Sequence, residues 1–110
     1  MLRLVTDQFS ALADATRRRL LELLASGDRT AGSLVAAFPG LSQPAVSRHL
    51  RVLRQAGLVS YRREAQRRIY SMDRGGLAAV QRWLDRTAHE WDKRLGRLAE
   101  EISMRDRADR

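Results

Sequence analysis

The sequence predicts a mainly α-helical domain carrying one small β-hairpin. Three observations lead there. Apolar residues recur at intervals of three and four over most of the chain, the period switches to short β-favouring runs between Leu58 and Met72, and capping or breaking residues stand between the segments. A chain of 110 residues, 44% hydrophobic and 31% charged, is long and apolar enough for one unit with a core. That domain is placed at residues 1–104, and a polar tail over 105–110 is expected to fray.

Asp7 to Leu12 forms a brief first helix, with Phe9 and Leu12 three apart. Asp14 caps a second, Ala15 to Ala25, which turns Leu20, Leu21, Leu23 and Leu24 inward and stops before Gly27. Thr30 caps a third, from Ala31 to Phe38, before Pro39 and Gly40 break the chain. Ser42 caps a fourth that runs to Ala56. Pro44 is tolerated there because the first turn has no intrahelical N–H bond to lose. At 100° per residue, Val46, Leu50 and Leu53 form one apolar stripe, opposite Pro44, Ser47, Arg48, Arg51 and Gln55. Gly57 stands where a left-handed cap is needed, which lets Leu58 pack back on Leu53.

Two β-favouring runs follow, Leu58 to Arg63 and Arg68 to Met72, around Glu64-Ala65-Gln66-Arg67. They read as a hairpin whose turn lacks the usual glycine or asparagine. The longest helix spans Leu77 to Ile102. Leu77, Val80, Leu84, Ala88, Trp91, Leu95, Leu98 and Ile102 are spaced by three or four, a heptad-like seam flanked by Trp83.

Charge narrows the partner. The chain holds 21 Lys+Arg against 13 Asp+Glu, a formal +8. Between Ser42 and Arg74 lie eight arginines (48, 51, 54, 62, 63, 67, 68 and 74) against only Glu64 and Asp73. Arginine on a helix followed by a hairpin favours a polyanion, since its guanidinium forks onto phosphate and guanine. Cysteine is absent, which excludes disulfides, thiolate metal sites and cysteine nucleophiles. No apolar run approaches the roughly 18–20 residues of a membrane span, and residues 1–7 show no charged-then-apolar signal. A cytoplasmic protein without membrane association is expected.

Three short helices, a capped helix with a polar outer face and a basic hairpin compose a winged helix-turn-helix. A major groove of B-DNA admits one such helix, whose outward side chains meet base edges while its apolar stripe stays on the domain. The runs Ala11-Leu12-Ala13-Asp14-Ala15-Thr16-Arg17-Arg18-Arg19-Leu20-Leu21-Glu22-Leu23-Leu24 and Ser42 through Val59 (SQPAVSRHLRVLRQAGLV) resemble the ArsR/SmtB family of bacterial repressors. The likeness continues through Arg68-Ile69-Tyr70-Ser71-Met72 and the tryptophan-bearing last helix.

The resemblance implies a homodimer joined through the first and last helices, which binds an imperfect palindrome in double-stranded promoter DNA and blocks transcription. Its recognition helix would be Ser42 to Gln55. Gln43, Ser47, Arg48 and His49 match positions the family uses at DNA, and Arg51 follows from the helical wheel. Arg48 is the candidate for a guanine contact, worth roughly 1–3 kcal/mol of discrimination if bidentate, and Gln43 for an adenine edge. His49 borders the buried stripe, so a packed or capping role stands beside a DNA contact. Arg62, Arg63, Arg67 and Arg68 would hold phosphates and set register. Phe9, Leu84, Ala88, Trp91, Leu95, Leu98 and Ile102 are assigned to the dimer interface.

The chain departs from the metal-sensing members. Where they carry a Cys-x-Cys pair, this sequence has Thr30-Ala31-Gly32-Ser33-Leu34-Val35. Asp85 and His89 share a helical face, but no second histidine follows, so they read as an exposed charge pair. No metal and no cofactor is expected. A metal-responsive repressor using Asp85 and His89 is the alternative, together with a winged-helix module that binds protein instead of DNA. A membrane-binding last helix is disfavoured because residues 77–102 carry five basic and five acidic groups. Catalysis is not expected: the chain has two histidines, no glycine-rich phosphate loop and no serine in a nucleophile context.

Overall fold

A computed structural model describes residues 2–108. The elements run α1 (Leu2–Leu12), α2 (Ala15–Ala25), β1 (Arg29–Thr30), α3 (Ala31–Ala36), α4 (Gln43–Gln55), β2 (Val59–Glu64), β3 (Arg67–Met72) and α5 (Arg74–Ala108). Three helix starts are fixed by the residues that announce them. Asp14 Oδ2 accepts the Arg17 N–H at 3.0 Å, Thr30 Oγ1 the Ser33 N–H at 3.1 Å, and Ser42 Oγ the Ala45 N–H at 3.2 Å. Each supplies an acceptor to a first-turn donor that the helix itself cannot pair.

The end of α4 is equally local in origin. Gly57 takes φ +74, its N–H reaches the Arg54 carbonyl at 3.0 Å, and the Leu58 N–H reaches the Leu53 carbonyl at 2.9 Å. This is a Schellman cap, and Leu53 and Leu58 meet in the core behind it.

Contacts divide the chain into two compact units, residues 1–80 and residues 81–110. In the first, Leu20, Leu21 and Leu24 of α2, Leu34 of α3, and Val46, Leu50 and Leu53 of α4 close on Leu58, Val59 and Tyr70. The apolar stripe expected on α4 is therefore the buried one. Leu23 of α2 is only half-buried and packs at the margin. The helix pairs α2–α4 and α3–α4 provide the crossing that leaves the other side of α4 open. Gln8 of α1 is 1% exposed, and its side-chain amide has no hydrogen-bond partner among the described residues.

The sheet has order β1-β3-β2, antiparallel throughout. The hairpin closes at Glu64↔Arg67, so its loop is the two residues Ala65 and Gln66, one residue tighter on each side than the sequence patterning suggested. Ala65 has φ +55 and is the only non-glycine residue with positive φ among those described. Positive φ at the first loop position alone is the sign pattern of a type II′ turn, a place that glycine ordinarily fills. The third strand, β1, pairs Arg29 with Tyr70 and Thr30 with Ile69. A two-residue strand carries no period, so nothing in the sequence marks it.

Two helices are longer than their patterns. α1 starts at Leu2 instead of Asp7, which lies inside the helix. α5 starts at Arg74, where the Asp73 carboxylate accepts the Gly75 N–H at 2.9 Å, and it continues past Met104 to Ala108. Arg105 and Arg107 in its last turn suit the negative end of the helix dipole. Residues 109 and 110 of the tail expected to fray lie outside the described residues. Gly76, in the first turns of α5, is buried against the Gly57 carbonyl, where a β-carbon would overlap it. In the second unit α5 is alone, and every described residue from 81 to 108 is exposed.

Candidate nucleic-acid interface

Because Val46, Leu50 and Leu53 point into the core, the opposite face of α4 points out. Gln43, Ser47, Arg48 and Arg51 are all exposed there. A groove of about 530 Å³ runs beside this face. Its walls are Ala31, Gly32 and Val35 of α3, Gln43, Ser47 and Leu50 of α4, and Gln66, Arg67 and Arg68 of the hairpin.

His49 is turned differently. Its Nδ1 lies 3.4 Å from Arg17 Nη1 and 3.9 Å from Asp14 Oδ2, and the side chain is 23% exposed. It fastens α4 to the start of α2. Arg17 also donates from Nε to the Ala11 carbonyl at 2.6 Å and from Nη2 to the Ser10 carbonyl at 3.1 Å, which closes the end of α1. The Asp14 carboxyl is held below its ordinary pKa, chiefly by the Arg17 backbone N–H, with His49 and Arg17 charges adding to the effect.

The hairpin arginines divide in the same way. Arg62 Nη1 lies 2.9 Å from Asp28 Oδ2 and its Nε 3.6 Å from Glu64 Oε1. The Arg62 hydrogen bond, helped by Ser71, holds the Asp28 carboxyl below the usual carboxylate range, and Asp28 in turn raises the guanidinium. Arg62 is therefore engaged within the domain. Arg63 and Arg68 face each other directly across the ladder, and Arg67 stands at the turn; all three are exposed. Like charges directly opposed on a sheet repel unless an anion lies between them.

Two residues were not foreseen. The Arg54 guanidinium lies 5.1 Å from the Tyr61 ring centroid and that of Arg68 lies 4.7 Å from it. The spacing of Ser47, Arg51 and Arg54, four and then three, puts them on one face of α4 and was available as a signal. The residues assigned to dimerisation lie apart from this surface in the sequence. Phe9 of α1 is half-buried, while Leu84, Ala88, Trp91, Leu95, Leu98 and Ile102 on α5 are exposed. Asp85 and His89 lie on the same exposed stretch, and among the described residues no three His, Asp or Glu side chains gather as metal ligands. No helix among the described residues is long and apolar enough to cross a membrane.

A helix with a buried stripe and an open polar face, flanked by a basic hairpin, defines a winged helix-turn-helix domain of the kind that reads DNA. The family described as bacterial regulatory protein, arsR family, matches residues 14–61. The HTH-type transcriptional regulator Rv2034 of Mycobacterium tuberculosis is 49% identical over 78 residues, 71% of this chain and 72% of its own. Transcriptional repressor SdpR of Bacillus subtilis is 38% identical over 80 residues, covering 73% and 88% of the two chains. The homodimeric winged helix-turn-helix DNA-binding domain Mb0332 of Mycobacterium bovis, a possible ArsR-family regulator, superposes with TM-score 0.63 and 31% identity over 86% of this chain and 83% of that one. The chain belongs to the ArsR family of DNA-binding transcriptional regulators, and it is not an enzyme.

Proposed function

We propose that the protein acts in the cytoplasm as a homodimeric repressor that sets two copies of α4 into successive major grooves of a palindromic operator. The observation that carries this reading is the open face of α4, where Gln43, Ser47, Arg48 and Arg51 stand clear of the core beside exposed Arg63, Arg67 and Arg68. Two recognition helices joined by one dimer call for half-sites about 34–36 Å apart, one turn of duplex. Repression and dimerisation are what SdpR and the Mycobacterium bovis domain are named for, which supports both here. His49 and Arg62, held within the domain, contribute to the stiffness of the reading head; base and phosphate contacts fall to the others.

Arg48→Ala and Arg67→Ala test the division of labour. Arg48→Ala removes preference at one base position, a loss of about 1–3 kcal/mol for the correct base alone. Arg67→Ala weakens every duplex alike and lowers the salt dependence of binding. Titration of an operator, identified by footprinting, and of its single-base variants separates the two. Uniform weakening by both substitutions would mean that Arg48 reads no base. Absence of salt-dependent duplex binding by the intact protein would remove the DNA reading itself.

A further inference from the structure

A second, smaller hollow of about 200 Å³ lies between the later turns of α4 and the inner face of the hairpin. It is lined by Ser47, Arg51 and Arg54 from α4 and by Tyr61, Arg68 and Tyr70 from the strands, above Leu50. Three arginines and three hydroxyl-bearing residues therefore line one hollow, and no acidic residue does. Three exposed cations elsewhere in the chain do have an acid close by: Arg19 with Glu22, Arg62 with Asp28 and Glu64, and Lys93 with Glu90. Among the described residues Arg51, Arg54 and Arg68 make no ion pair.

We infer that this hollow is a phosphodiester seat, and that it holds one backbone phosphate of the duplex in the grip of Arg51, Arg54, Arg68 and Ser47. The inference rests on the DNA-binding reading and assigns to Arg54 and Tyr61 roles that the groove-facing residues do not cover. Three cations around one hollow repel each other until an anion sits among them, whereupon each gains an attraction. Guanidinium N–H groups fork onto phosphate oxygens, and charge-assisted bonds of this kind are roughly twice as strong as neutral ones.

Tyr61 sets the direction of the fork. The Arg54 and Arg68 guanidiniums both lie against its ring, at 5.1 and 4.7 Å, and Tyr70 backs the ring at a centroid distance of 5.4 Å. A guanidinium resting on an aromatic ring keeps its N–H edge free, and its orientation is chosen before the ligand arrives. Tyr61 is thus a positioning residue. Ser47 borders both this hollow and the groove that holds Gln43 and Arg67, so a phosphate fixed here sets how α4 lies in its groove. That shared border favours a backbone phosphate over a free one.

The test compares intact wild-type protein with Arg54→Ala, Tyr61→Leu, Tyr61→Phe and, as a control, Arg19→Ala. The first readout is the slope of log Kobs against log salt for operator and random-sequence duplexes. Arg54→Ala should lower the slope by about 1 per chain on both duplexes and leave the operator-to-random ratio unchanged. Tyr61→Leu should do the same, Tyr61→Phe should restore the wild-type slope by restoring the ring, and Arg19→Ala should change nothing. An unchanged slope for Arg54→Ala overturns the seat, as does equal loss from Tyr61→Leu and Tyr61→Phe.

The second readout is the Arg54 Nε–H resonance during titration with inorganic phosphate at fixed ionic strength. It should shift, and duplex should abolish the response. No shift overturns the seat. A phosphate response combined with an unchanged duplex slope assigns the hollow to a free anion and overturns the backbone assignment. Should wild-type protein bind no duplex, the DNA reading and its backbone phosphate fall together, and the phosphate titration alone decides whether the hollow seats an anion.

Discussion

At the scale of single residues, two glycines at one corner show how a missing side chain builds a fold. Gly57 is required for its backbone: φ +74 closes the Schellman cap, and no neighbouring atom crowds the place a β-carbon would take. Gly76 is required for space, because a β-carbon there would overlap the Gly57 carbonyl, which is backbone and cannot swing aside. Gly76→Ala should therefore be the more damaging of the two alanine substitutions. It is expected to lower stability by about 3 kcal/mol, the upper range for overpacking. Gly57→Ala should lose about 1 kcal/mol from left-handed strain. Urea midpoints at constant m-value measure both, and equal losses would contradict the division between space and conformation. From the sequence, Gly57 is legible because it follows a helical period. Gly76 is not, because its neighbour lies 19 positions away.

At the scale of elements, the same distinction between near and far decides what could be read. Asp14, Thr30, Ser42 and Gly57 act on groups within a few positions of themselves, and the helices they delimit appear where those residues announce them. The α4 stripe and the hairpin are visible for the same reason. β1 is defined by pairing with Tyr70 and Ile69, some forty residues away, and only tertiary structure reveals it. Of the site residues, Ser47, Arg48 and Arg51 follow from the wheel and Gln43 from the family resemblance, whereas the capture of Arg62 by Asp28 spans 34 positions and is invisible in the sequence.

Asp14 carries a testable consequence at this scale, since it caps α2 and faces His49 of α4. Its folded pKa is depressed, so its ionised form stabilises the fold above the ordinary carboxylate range, and that contribution is lost as pH falls below about 4. Asp14→Ala should lose about 1 kcal/mol at pH 7. The deficit should shrink at pH 3, below the ordinary carboxylate value, where the unfolded chain takes up the Asp14 proton more readily than the fold does. A deficit equal at both pH values would show that the charge of Asp14 contributes nothing to the cap.

At the scale of the whole molecule, the second unit poses a question that one chain cannot answer. Leu84, Leu95 and Leu98 are about half exposed, Trp91 is 56% exposed and Ile102 67%, and with Ala88 they recur at intervals of three or four along one helix. A single helix holding an apolar stripe in water has nothing to bury it against, and helical stability in proteins comes mainly from packing such a face. A second copy of α5 offers the matching stripe, and two-fold symmetry makes the surface complementary to itself. Arg94 lies over the Trp91 ring at 5.9 Å, so the most central aromatic is bordered by charge, as at the edge of a coiled-coil seam. In a dimer joined along α5, Trp91→Glu would put a carboxylate into the seam twice, once from each chain. The expected product is a monomer by light scattering. Its first unit remains folded, because the core of residues 1–80 is built without residue 91. Operator affinity should fall by about 100-fold or more, the advantage of two linked binding heads over one. Affinity for a single half-site should stay near the wild-type value for one head. A Trp91→Glu protein that remains a dimer would place the interface elsewhere on the chain; a monomer that keeps full operator affinity would mean that one reading head suffices.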